Sequence, residues 1–427
     1  MSGPQREEMP GAAWLELLLG PKPAAWVRTA AASALLTSPV AIGALTGVGA
    51  AIFVAFRTLV AAQGHIGGFV VAGSLYVAPN HYTRGLPITA GTGYDGQFYY
   101  RLALGPLDWS REAFGIRFDT LGRLDRIAYP ALAWALSAGQ QAAVPVMMPL
   151  LNAAALGALA GTCAALAREA GRHPLWGLLA ASFWGFLWTL SRDLTELVEA
   201  TFLMAALLAL RKSRPVLAGV LLAVAVLARE PALLLVGAIF VSRVLAQARA
   251  RLAPAKLAAR LDLLSGRLGP QDAAWAVPAL AFVGWQLALR LRTGVFGVLT
   301  SGQNNTGLPL VGLARGFAHY VDRSPSTASL LWLGELAVLA LMVTLATISL
   351  RSSRAAFHEQ VAWAASLVLT TCLTKGIWLG DVGFRSLDDL FLFSAVLLLF
   401  SRLRLDLAGW VLAAVWGVVA IELILFI

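Results

Sequence analysis

Charge is what this sequence has least of. Only 13% of its 427 residues are Asp, Glu, Lys or Arg, about half the share that a soluble domain carries. So few polar side chains cannot cover the core of a water-facing chain of this length. Cysteine is scarce as well. Cys163 and Cys372 are the two present, and both lie within apolar stretches, which excludes a disulfide scaffold and leaves too few thiolates for a Cys-based metal site. Acidic residues are the minority sign, 23 against 33 Lys and Arg, for a formal net charge of +10. The first 30 residues lack the basic, apolar, small-residue order of a cleavable signal peptide and carry Glu7, Glu8, Pro10, Glu16, Pro21 and Pro23 instead. No internal repeat of the kind that marks many transporters is evident.

Apolar residues fill the space. They make up 59% of the chain, and the mean hydropathy is +0.73. Apolar stretches of about 20 residues, the length that crosses hydrocarbon as a helix, recur from near position 30 to the end. The expected fold is therefore all-α: a polytopic transmembrane helical protein forming one integral-membrane domain over 1–427, with about eleven spans. These are expected near 37–62, 144–167, 174–190, 194–210, 216–228, 231–245, 274–291, 329–350, 360–375, 390–400 and 407–427, with a short helix at 127–137. The pair 216–228 and 231–245 is short enough to tilt or re-enter.

The basic residues sit in short runs between these stretches, as topogenic signals do rather than nucleic-acid footprints. Arg168 with Arg172, Arg211 with Lys212 and Arg214, Arg351 with Arg354, and Arg402 with Arg404 fall on one side. That side is expected to be cytoplasmic, together with the N-terminal segment 1–36 and the basic segment 246–270. The latter reads equally as an amphipathic helix on anionic lipid or as an ordinary positive-inside loop. The opposite side receives 63–126, 192–199, 229–230, 290–328 and 375–389. The Ala- and Arg-rich composition suggests a bacterial plasma (inner) membrane.

The densest polar stretch is Gly91-Thr-Gly-Tyr-Asp-Gly-Gln-Phe-Tyr-Tyr-Arg101, in the long loop after the first span. Its glycines match G-x-G-x-x-G, yet no strand precedes them and no βαβ unit surrounds them, so a dinucleotide site is not indicated. Asp95-Gly96 reads as a tight turn opening a helix over 97–104, with Tyr94, Phe98, Tyr99 and Tyr100 as interfacial anchors. A lone Asp-Gly is also the sequence of a plain turn.

A first span, a long outer loop with an acid beside aromatics, then about ten more spans resembles the GT-C superfamily of polytopic glycosyltransferases, which use polyprenyl-phosphate-linked sugars. Tyr94-Asp95-Gly96-Gln97-Phe98-Tyr99 is similar to the Trp/Tyr-Asp-x-x-x-Phe-Tyr signature in the first outer loop of mannosyltransferase-like members. Arg126-Ile-Ala-Tyr129-Pro130 resembles the aromatic-Pro motif before their next membrane helix. The motif match covers about ten to fifteen residues, and the architectural match covers most of the chain. The resemblance implies a polyprenyl-phosphate-sugar donor, a glycan, lipid or protein acceptor, surrounding membrane lipid, and Asp95 as the catalytic acid that activates the acceptor. The family's paired acids are replaced here by Asp95-Gly96, so a divalent metal is compatible with the loop but not required by it.

Transfer from a sugar phosphate needs a carboxylate near the incoming hydroxyl and cations at the departing phosphate. Beside Asp95, with Tyr94 and Gln97 flanking it, the candidate binding residues on that face are Arg101, Arg126, Arg192, Asp193, Glu196, Arg229, Glu230, Lys375 and Arg385. Arg101 follows Asp95 by six residues, whereas seven or eight would return to the same helix stripe. Asp193 and Glu196, three apart, would share a helix face. Arg192-Asp193 and Arg229-Glu230 also read as local ion pairs at turns, and Asp388 and Asp389 as caps of the following helix. The amide-rich loop 300–306 suits sugar hydroxyls or an ordinary turn. His65, His81 and His319 are too scattered to form a metal set. A transporter or lipid flippase, with intramembrane charges lining a path, is the alternative reading.

Overall fold

The computed structural model describes residues 34–252, 269–301, 305–321, 326–380 and 382–403, with 405, 409, 411 and 414–419 beyond them. The cytoplasmic segment expected over 1–36 falls almost wholly outside these residues. So do most of the basic segment 246–270, residues 302–304 of the amide-rich loop, and most of the span expected at 407–427.

The described residues are mostly helical. The principal helices are α1 (Pro39–Leu59), α2 (Gly96–Leu104), α3 (Ala128–Leu136), α4 (Val144–Glu169), α5 (Glu196–Arg211) and α6 (Pro215–Ala228). They continue with α7 (Leu233–Leu252), α8 (Ala273–Thr293), α9 (Val311–Val321), α10 (Thr327–Ser349), α11 (Phe357–Thr371) and α12 (Asp388–Leu399). Helix α1 starts where Ser38 accepts a hydrogen bond from the Ala41 amide and Pro39 occupies the first turn, a position that needs no amide donor. Among the described residues, five helices are long and apolar enough to cross a membrane: α1, α7, α8, α10 and the helix over 141–169 that contains α4.

Among the described residues, several of the expected spans are shorter than full crossings. The expected spans at 194–210, 216–228, 360–375 and 390–400 become helices of 16, 14, 15 and 12 residues, shorter than the ~20 residues that cross hydrocarbon unaided. The stretch 174–190 is not a single helix. It divides into a 3-10 turn at Pro174–Gly177 and short helices at Leu178–Ala181 and Gly185–Ser191. Gly177 lets this stretch lie directly against α4, because a Cβ there would come within 2.2 Å of the Ala164 nitrogen.

Helices α1 and α4 meet along a seam of small residues. A Cβ on Gly43 would lie 2.8 Å from the Gly157 carbonyl oxygen, and one on Gly157 would lie 2.9 Å from the Gly47 Cα. In lipid, where apolar side chains gain little by leaving the solvent, such backbone approach supplies the packing energy.

The segment between α1 and α3 folds onto the helices rather than looping freely. Ala72–Gly73 pairs in parallel with Ile88–Thr89, and Glu112–Ala113 pairs antiparallel with Ile116–Arg117. Helix α2 is buried along its whole length. Asp125 and Leu124 tie the segment to α8, accepting from Gln286 Nε2 at 2.8 Å and from Trp285 Nε1 at 3.0 Å.

Charged contacts fall at the two ends of α5. At its start Glu196 meets Arg229 and Arg385, and at its end Arg211 pairs with Glu359 of α11. Sixteen helical residues separate these levels by about 24 Å. At the Arg211 level, Arg172 also donates to the carbonyls of Leu399, Ser401 and Leu403 at 2.7–2.9 Å, satisfying acceptors left over where α12 ends.

Candidate active site

Asp95 stands one residue ahead of α2, as the Asp-Gly reading expects, but its carboxylate does not cap the helix. It is turned to guanidinium groups instead. Arg123 Nη1 lies 2.9 Å from Oδ1, and Arg385 Nη2 lies 3.1 Å from Oδ2. Gly96 permits this placement, since a Cβ there would meet the Arg192 carbonyl oxygen at 2.3 Å. Burial by itself would push the Asp95 pKa up. The charges of Arg123, Arg385 and Arg126 outweigh it and hold the carboxyl at about 2, so the group is ionised at any ordinary pH. Arg123 and Arg126 in turn are raised above the usual guanidinium range, burial being outweighed by Asp95 for the first and Glu230 for the second.

From Asp95 a network of charges runs into the bundle. Arg385 donates to Tyr94 Oη at 3.2 Å and to Glu196 on α5. Glu196 lies 3.7 Å from Arg229, whose Nη1 donates to both Asp388 oxygens at 2.6 and 2.7 Å. Glu199, one helical turn beyond Glu196, is 3.9 Å from the same nitrogen. Arg126 lies 3.3 Å from Glu230 and donates to Tyr99 Oη at 3.1 Å.

Of the residues singled out in the sequence, Tyr94, Asp95, Arg126, Glu196, Arg229, Glu230 and Arg385 thus belong to one network. Arg192 adjoins it, with its guanidinium carbon 5.3 Å from the centre of the Tyr94 ring and 4.6 Å from Trp188. Gln97 is buried and holds the loop, donating to the Thr92 carbonyl at 2.7 Å and accepting from the Gly73 amide at 3.0 Å. Arg101 points elsewhere, as its spacing of six implies. It donates to the Ser110 carbonyl at 2.6 Å and packs 3.8 Å from the centre of the Phe118 ring. Lys375 is exposed and makes no ion pair with a described residue.

Four local readings are corrected. Arg229 and Glu230 do not pair with each other, because their side chains diverge to Asp388 and Arg126. Arg192 and Asp193 also diverge, Asp193 turning to Tyr129, whose hydroxyl lies 3.5 Å from Oδ1. Asp193 has a left-handed φ of 50° and precedes α5, so it shares no helix face with Glu196. Asp388 does not cap α12; no side-chain cap forms there, and its carboxylate is committed to Arg229.

Arg123, Tyr99, Glu199, Asp388 and Asp389 join the site without having been singled out for it. Glu199 carried a signal, as a second acid one turn along an apolar helix, where ionisable groups are costly unless used. Arg123 carried none, since only the fold of its loop brings it to Asp95.

A metal does not fit at Asp95, because guanidinium groups occupy both carboxylate oxygens. The group with ligand-like spacing among the described residues is Glu199, Asp388 and Asp389, with carboxylate oxygens within 4.8 Å of one another, but the Arg229 cation already sits against Asp388.

Fold and site together define a helical membrane protein with a charged, partly solvent-reached centre at one end of its bundle. Comparison with known proteins adds nothing to this: no family model matches the chain, and no curated protein or solved structure is significantly similar to it.

Proposed function

We propose that the chain is a membrane glycosyltransferase of the GT-C kind, moving a sugar from a polyprenyl-phosphate-linked donor to an acceptor on the extracytoplasmic face of a bacterial plasma membrane. One observation carries the reading. The Asp95 carboxylate is not spent as a helix cap but is held, ionised, among arginines from two separate segments, Arg123 and Arg126 on one and Arg385 on the other.

A carboxylate held at about 2 is a weak base, so its first task is to position the acceptor hydroxyl by accepting its hydrogen bond. As the bond from the anomeric carbon to the phosphate lengthens, the sugar acquires oxocarbenium character. The attacking oxygen then becomes acidic, and its proton passes to Asp95 late in the step, when even a weak base suffices. The new glycosidic bond forms on the face opposite the departing phosphate, giving inversion. Neighbouring guanidinium groups stabilise the charge that develops on the leaving phosphate.

The test is a mass-spectrometric profile of envelope glycans and glycolipids in a deletion strain, complemented with wild type or with Asp95→Asn at matched protein levels. Loss of one sugar, restored by wild type alone, is the expected result. Full restoration by Asp95→Asn removes Asp95 from catalysis, and an unchanged profile on deletion defeats the transferase reading. A transporter is the second reading, favoured by the buried carboxylates of Glu199, Asp388 and Asp389 beside Arg229, which resemble a charged path through the bundle.

A further inference from the structure

Helices α8 and α10 both have the length and apolarity of membrane spans, so the chain between them starts and ends at one membrane surface. That surface belongs to the Asp95 end of the bundle. Gln286 of α8 donates to Asp125 at 2.8 Å and accepts from the Val298 amide at 3.2 Å. Between the two spans lies α9, with 11 residues. It is about 16 Å long, half of what hydrocarbon requires.

The two faces of α9 differ. Its glycines point inward: a Cβ on Gly312 would lie 1.9 Å from the Leu373 carbonyl oxygen, and one on Gly316 would lie 3.2 Å from the Trp378 Cβ. Ahead of the helix, the amides of Gly307 and Leu310 donate to the carbonyls of Cys372 and Thr371 at 2.7 and 2.6 Å. Ala314, Phe317, Ala318 and Val321 are exposed and fall within about 100° of one another around the helix. Leu308 and Leu310, just before it, are exposed as well. Arg315, also exposed, stands about 60° beyond this apolar face. An apolar face bordered by a basic residue, on a helix too short to span, suits the plane of a membrane interface. The neighbouring spans show the same kind of surface, with Leu287 and Leu291 exposed on α8 and Leu330 on α10.

Helix α9 also bears on the charged centre. Tyr320 stacks on Trp332 of α10, with ring centres 4.8 Å apart. Trp332 Nε1 donates to the Trp378 carbonyl at 2.9 Å, and both indoles stand edge-on to Phe384, 5.5 Å from its ring centre. Phe384 has a left-handed φ of 53°, which a bulky residue keeps only where its surroundings impose it. Arg385, next in the chain, meets Asp95 and Glu196.

We propose that α9 is an interfacial helix whose seat on the bilayer holds Arg385 in place. Phe317 and Val321 insert among the acyl chains of the leaflet nearer Asp95, and Arg315 meets phospholipid headgroups. Tyr320, Trp332 and Phe384 carry that placement to Arg385, so the bilayer is part of the frame of the site. Neither half depends on which reaction the site performs.

The full chain in phospholipid nanodiscs tests both halves. Cys372→Ser removes the half-buried thiol and leaves the buried Cys163. Phe317→Cys, Val321→Cys or Arg315→Cys, each made in that background, then receives a nitroxide label. Collision with oxygen, relative to a water-soluble nickel chelate, should be severalfold greater at 317 and 321 than at 315. Equal access of the chelate to all three puts the face in water and overturns the proposal. Exclusion of both reagents from 317 and 321 overturns it too, because a second copy or another protein then covers the face.

Hydrogen exchange reads the second half. Tyr320→Ala should speed exchange severalfold at the amides of 384–388 while leaving α4 unchanged. Tyr320→Phe keeps the ring and should exchange as wild type does. Phe317→Glu, which lifts the face from the lipid, should give the same local rise, and it carries the test if heat denaturation shows Tyr320→Ala unfolded. Unchanged exchange at 384–388, or an equal rise throughout the bundle, severs α9 from Arg385.

Discussion

Arg385 reaches across 290 positions of sequence to place Nη2 3.1 Å from Asp95 Oδ2, while its Nη1 meets Glu196 on α5. One guanidinium thus joins the loop after the first span to the bundle, and the position of the candidate catalytic carboxylate depends on the chain's last third.

Removal of that guanidinium should therefore harm both stability and turnover. Arg385→Gln leaves Glu196, which is fully buried, short of one cation, and stranding one member of a buried pair costs about 3–5 kcal/mol. Arg229 retains part of the compensation, so the lower end of that range is expected in heat denaturation. Glu196→Gln in the same background should recover part of the loss, because the stranded charge is gone. Equal stability of the single and double variants would show that the two side chains are not coupled.

Acid should act on Asp95 only at extreme pH. Its folded-state pKa of about 2 lies below the ordinary 3.8, so the stabilisation it contributes is complete above the ordinary value and is lost as pH falls through the folded one. Activity should then show no acid-side loss from Asp95 above about pH 4. Arg123→Gln removes the largest attraction and should move the acid limb of a kcat/KM profile upward. An identical limb in wild type and variant would mean that Arg123 does not govern Asp95.

Arg101 offers a contrast within the same loop. Arg101→Gln should lower the denaturation midpoint through the lost Ser110 and Phe118 contacts, with donor KM left near the wild-type value. A large rise in KM at unchanged stability would return Arg101 to the binding site.

The seam between α1 and α4 can be tested by two glycines of one helix. Gly43→Val drives a side chain into the Gly157 backbone, whereas Gly49 has nothing within 4 Å of its Cβ position. Gly43→Val should sharply reduce the amount of folded protein in the membrane, and Gly49→Val should not. Similar yields of the two would remove the seam from the packing.

The helical, membrane-embedded character of the chain was written in its hydropathy, because a run of apolar residues must satisfy its backbone internally once it leaves water. The Asp95-Gly96 turn opening α2 was legible for a local reason too: these residue types favour that backbone. Arg101 turning away from Asp95 followed from helical spacing alone. Partnership among charges was not legible. Arg229-Glu230 and Arg192-Asp193 look like pairs in the chain, yet Arg229, Glu230 and Asp193 each find a partner on a distant element, since neighbours at a turn point in different directions. Arg123 carried no local mark, and the close approach of Gly177 to Ala164 exists only once α4 is in place. Periodicity and composition report on forces between near neighbours. The meeting of Asp95, Arg123, Glu196 and Arg385 was decided by the packing of helices that the sequence orders but does not juxtapose.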